Sequence, residues 1–74
     1  MILLTFHSTH QAISAKKVLQ KKGTVTVLPT PTSITSECGM SLLVEADLYS
    51  FCAEDLHKFS PVLYEEREGV YHKL

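Results

Sequence analysis

Apolar residues follow two rhythms along this chain, and the switches between them mark its elements. Residues 2–6, Ile-Leu-Leu-Thr-Phe, form a short apolar run of the kind that makes a buried strand. The rhythm then turns helical. Ala12, Ala15, Val18 and Leu19 recur three and four residues apart, with Lys16, Lys17, Gln20, Lys21 and Lys22 on the other face. Ser8 and Gln11 have capping-box spacing, with Thr9 the alternative cap, and Gly23 stands where a left-handed stop would fall. The spacing predicts a helix over 9–22.

Alternating β-branched residues predict a second strand over 24–28, ended by Pro29. A third strand is expected over 40–45. Asp47 can cap a second helix over 48–59, whose apolar stripe is Leu48, Phe51, Cys52, Leu56 and Phe59. After Pro61, residues 62–64 begin a fourth strand that runs into a charged stretch. Residues 65–74 read as a strand extension or a tail.

The order strand, helix, strand, strand, helix, strand is the ferredoxin-like βαββαβ pattern of an α+β fold. It predicts one domain over 1–74, with a four-stranded antiparallel sheet and both helices on one face. Ala12, Ala15, Leu19, Val27, Leu43, Phe51, Leu56 and Phe59 are its expected core. The other sheet face would be left open.

Size and charge narrow the function classes. A chain of 74 residues buries only about 60% of its unfolded surface, so self-association is a natural source of extra stability. Seven basic and eight acidic residues make no basic stripe, which argues against a nucleic-acid partner. No run approaches the roughly 20 apolar residues of a membrane span, and the start lacks a signal-peptide pattern. Two cysteines cannot build a disulfide framework, so the expectation is a cytoplasmic protein with reduced thiols.

The candidate chemistry lies between the second and third strands. A tight hairpin needs about two to five residues, and this connection is longer. It holds Pro29, Pro31, Thr32, Ser33, Thr35, Ser36, Glu37, Cys38 and Gly39. Cys38 has two readings. In one it is an accessible thiol supported by the loop hydroxyls and backbone. In the other it is a small residue half buried at a strand entrance. Cys52, on an apolar stripe, is a core thiol. His7 and His10 could join Cys38 in a metal site, a weaker option because a stable site needs more ligands. No cofactor is called for.

Taken together, Ser8-Thr9-His10-Gln11-Ala12, Leu28-Pro29-Thr30-Pro31 and Ser36-Glu37-Cys38-Gly39-Met40 resemble a family of small bacterial proteins. That family is described as putative selenium/sulfur carrier protein-like. The resemblance implies a carrier more than a turnover enzyme, with Cys38 as its thiol. Cys38 would hold a persulfide-type sulfur or selenium between a protein donor and a protein acceptor. Gly39 would let a partner approach, and Pro29, Pro31, Thr32 and Ser36 would support the loop. Thr32 stands where the family pattern usually has a basic residue. The rival from another class is a non-catalytic interaction module that dimerises through the open sheet face.

Overall fold

The computed structural model describes residues 1–34 and 38–74. The elements run β1 (Ile2–Thr5), α1 (Thr9–Gln20), β2 (Thr26–Pro29), β3 (Met40–Val44), α2 (Ala46–Leu56), β4 (Val62–Arg67) and β5 (Val70–Lys73). A single 3-10 turn, His57–Phe59, follows α2. The strands form one antiparallel sheet in the order β2-β3-β1-β4-β5.

The sheet therefore has five strands where four were expected. The fifth forms because Glu68 and Gly69 both take positive φ, 53° and 80°. Two such residues make the tight turn whose twist suits a hairpin, and Arg67 pairs directly with Val70 across it. The Gly69 N–H donates to the Glu66 carboxylate at 3.0 Å, which fixes the turn further.

Alternation along the strands sorts side chains into two faces. Ile2, Leu4, Phe6, Leu42 and Val44 share one core with Ala12, Ala15 and Leu19 of α1 and with Cys52 and Leu56 of α2. Both helices thus cover the same face. The α1 cap is as expected, with the Ser8 hydroxyl accepting from the Gln11 N–H at 3.2 Å. The reciprocal half of the box is missing, and Gln11 Oε1 is buried without a partner among the described residues.

Several core expectations need correction. Phe51 is 71% exposed and Val27 is exposed, while Leu43 and Phe59 are only half-buried. Phe51 fails because the predicted stripe is wider than the face α2 buries, and α2 also starts earlier than predicted. Its cap is Glu45 in place of Asp47, and the buried stripe runs through Cys52 and Leu56. Val27 fails because β2 is the edge strand, and the helix packed on this half of the sheet sits over β3. Gly23 is not left-handed. Its role is spatial, since a Cβ there would lie 2.9 Å from Leu48 Cδ2.

The second sheet face is less bare than its lack of helices suggests. Leu3, Thr5 and Ser41 are essentially inaccessible there. Leu3 lies between Leu43 and Tyr64 on the neighbouring strands. The Thr5 and Ser41 hydroxyls donate to the Val62 and Leu28 carbonyls at 3.5 and 3.1 Å. Leu43, Val62 and Tyr64 on that face are half-buried, and the large apolar residues most exposed to solvent are Met1, Ile13, Val27, Phe51, Val70 and Leu74. None of the most exposed ones lies in the interior of that face.

Candidate functional site

Cys38 stands where the β2–β3 connection re-enters the sheet, two residues before Met40. The hairpin continues past its last strand pair, Pro29 with Met40. The Thr30 N–H donates to the Gly39 carbonyl at 3.0 Å. The Thr30 hydroxyl donates to the Cys38 carbonyl at 2.9 Å. These two bonds fix the backbone that presents the thiol.

The direction of that thiol follows from strand parity. Positions 38, 40, 42 and 44 share a face, and Cys38 joins the helix-side core. Its exposure is 2%. The expectation of an accessible loop thiol is overturned: the polar character of the connection does not decide which way its last side chain points.

Within the core the sulfur keeps polar company. The Met40 N–H donates to Cys38 Sγ at 3.4 Å. The Thr9 hydroxyl lies 3.7 Å from Sγ, within hydrogen-bonding range for sulfur. Thr9 is the first residue of α1, so the sulfur sits beside the end of the helix that carries partial positive charge. Both groups can donate to a sulfur that becomes anionic. Thr9 was not among the sequence candidates for this site. The signal for it is topological, because β1 and β3 are paired and the chain leaves β1 directly into α1.

The other candidates are placed as follows. Pro29 closes β2, and on that edge it offers no N–H to a further strand. The Pro31 carbonyl accepts from the Ile34 N–H at 3.0 Å, closing a turn that leaves Thr32 and Ser33 exposed. Ile34 is buried. Gly39 is exposed, and a Cβ there would meet nothing within 4 Å, so the space beside Cys38 does not depend on glycine. Ser36, with Thr35 and Glu37, lies outside the described residues.

His7 and His10 are both exposed. Among the described residues no group of three or more His, Cys, Asp or Glu side chains could hold a metal ion. The His7, His10 and Cys38 option is therefore not assembled. Cys52 is buried as expected, on α2, and no disulfide joins it to Cys38. Among the described residues no helix is long and apolar enough to cross a membrane.

A second concave feature lies at the far end of β3. It is a groove of about 530 Å3 bounded by Lys22 and Gly23 after α1, Glu45, Asp47, Leu48 and Phe51 of the α2 region, and Met1, Thr24 and Thr26. Lys22 Nζ stands 5.7 Å from the centroid of the Phe51 ring. Sequence reading assigned Phe51 to the core and so passed over this groove.

Comparison with known proteins gives one assignment. No curated protein and no solved structure matches the chain. A family described as Putative Se/S carrier protein-like matches residues 1–66, which takes in Cys38, Thr9 and both helices and stops before the β4–β5 turn. With most of its length matched, the chain belongs to the Putative Se/S carrier protein-like family.

Proposed function

We propose that this protein is a sulfur or selenium carrier whose working atom is Cys38 Sγ. The observation that carries the reading is the setting of that sulfur within the family-matched region. A backbone N–H donates to it and a hydroxyl lies within hydrogen-bonding range, beside the N-terminal end of α1. In the proposed reaction Cys38, as thiolate, attacks the terminal sulfur of a persulfide on a donor protein. The S–S bond of the donor breaks, the donor leaves as thiolate, and Cys38 becomes the persulfide. Attack on that outer sulfur by an acceptor nucleophile returns Cys38 as thiolate. A selenium atom in the outer position follows the same course. Neither step needs an external oxidant or reductant.

The Met40 N–H and the Thr9 hydroxyl are the donors that would hold the anionic sulfur in place. Burial has a kinetic consequence. A thiol at 2% exposure meets a donor only when its neighbours loosen, so loading is limited by local opening. We read the fold as ferredoxin-like with an added β5, from the order β2-β3-β1-β4. A bacterial cytoplasm, where thiols stay reduced, is the setting this chemistry requires.

The test is intact-mass spectrometry after incubation with a cysteine desulfurase and cysteine. One added sulfur atom is expected on the native protein and on Cys52→Ala, and none on Cys38→Ala. Equal loading of Cys38→Ala, or no loading of the native protein over hours, would sink the carrier reading. The rival interaction module draws on a different observation, the exposed Phe51 beside its groove.

A further inference from the structure

The groove at the Glu45 end of β3 bears on neither Cys38 nor the packing of the core. Its floor and rim are apolar, from Met1, Leu48 and Phe51. Phe51 at 71% exposure and Met1 at 47% line one groove with Leu48, and a contiguous exposed apolar patch marks an interaction site. The rim is also charged on both sides. Lys22 stands on the α1 side, and Glu45 and Asp47 stand on the α2 side. None of the three forms an ion pair with another described residue.

We infer that this groove is the interface of a two-fold homodimer, occupied by the same groove of a second copy. A two-fold axis sets each patch against itself, so a patch carrying both signs on opposite rims becomes complementary to its own copy. Lys22 of each protomer would face Glu45 and Asp47 of the other, and the two Phe51 rings would share the centre. The charge pattern favours this occupant over a partner of single sign, because either sign alone would meet like charge on one rim. An apolar centre with a charged rim is the usual build of a protein–protein contact.

The inference also moves the expected dimer away from the open sheet face. That face has no strongly exposed large apolar residue in its interior. The groove lies past the end of β3 opposite Cys38, so a dimer formed through it leaves the candidate thiol unobstructed. The proposal thus stands apart from the carrier reading, and either can fail alone.

The experiment is sedimentation of the full chain from micromolar to millimolar concentration, at low and high salt. A monomer–dimer equilibrium weakened by salt is expected. Phe51→Asp should weaken association by roughly a hundredfold, as loss of a central aromatic does. Lys22→Glu alone, and Glu45→Lys with Asp47→Lys, should each be monomeric, since both place like charges across the axis. Mixed together, those two proteins should form a heterodimer. Circular dichroism checks that each variant is folded. A native protein that is monomeric throughout would overturn the inference. So would a dimer indifferent to Phe51→Asp, or a mixture of charge variants that stays monomeric. Binding of an unrelated peptide to the groove of a monomeric protein would assign it to another occupant and overturn it as well.

Discussion

The two ends of β3 differ in what they do with polar groups. At the Cys38 end, Thr30 spends both its N–H and its hydroxyl on the neighbouring backbone, and the sulfur is enclosed with Met40 and Thr9. At the Glu45 end, Lys22, Glu45 and Asp47 make no ion pair with a described residue, and Phe51 stands in solvent. One end is satisfied internally and encloses its thiol. The other leaves Glu45 and Asp47 without a cation among the described residues, and its aromatic ring meets Lys22 along one side. The proposed carrier chemistry falls at the closed end, and the proposed association at the open one.

Among the cysteine and loop variants, the largest expected effect on stability tests whether the closed end is built around sulfur or only around volume. Both cysteines are buried to the same degree, but Cys52 lies on the apolar stripe of α2. A serine at 52 would bury a hydroxyl and cost about 1–3 kcal/mol. A serine at 38 would find the Met40 N–H and the Thr9 hydroxyl nearby, and should cost less than half as much. Urea denaturation of both variants measures the difference. Equal losses would mean that the polar contacts at Cys38 carry no weight.

The next effect is smaller and concerns Thr30. Thr30→Val keeps the shape and the N–H but removes the bond to the Cys38 carbonyl. A loss of about 1 kcal/mol is expected. Alkylation of native Cys38 should also quicken several-fold, while Cys52 stays protected until global unfolding. Unchanged labelling of Cys38 would show that its burial depends on other contacts.

How much of this was legible in the chain divides along the same line. The periodicity of Ala12, Ala15 and Leu19 and the apolar run over 2–6 were enough for the helices, the central strands and their shared face. Strand pairing was not legible at the edges. The pairing of Arg67 with Val70 depends on positive φ at Glu68, a residue type that does not advertise it. Cys38 was legible as a candidate by its position, but its burial was not. Side-chain direction there is set by register with β3, and register is a long-range property. Phe51 was misplaced for a related reason. A helix stripe defined by Leu48, Phe51, Cys52 and Leu56 is wider than the face α2 can bury, and only the packed structure says which member is left over.

That left-over residue yields the smallest predicted change. Phe51 and Leu56 are five positions apart on one helix, and both are large and apolar. Leu56 is fully enclosed, and its truncation to alanine should cost about 2–5 kcal/mol. Phe51 is largely in water, with Lys22 near one side of its ring. An exposed cation–π contact contributes about 0.5–1 kcal/mol at most, and alanine is the better helix former, which offsets part of it. Phe51→Ala should therefore shift the stability of the monomer by no more than about 0.5 kcal/mol. The measurement belongs at high dilution, where any dimer has dissociated, and should be repeated at high concentration. A loss that grows with concentration would locate the contribution of Phe51 between chains, as the proposed dimer expects. A loss above about 2 kcal/mol at high dilution would place Phe51 in the core after all and remove the contrast between the two ends.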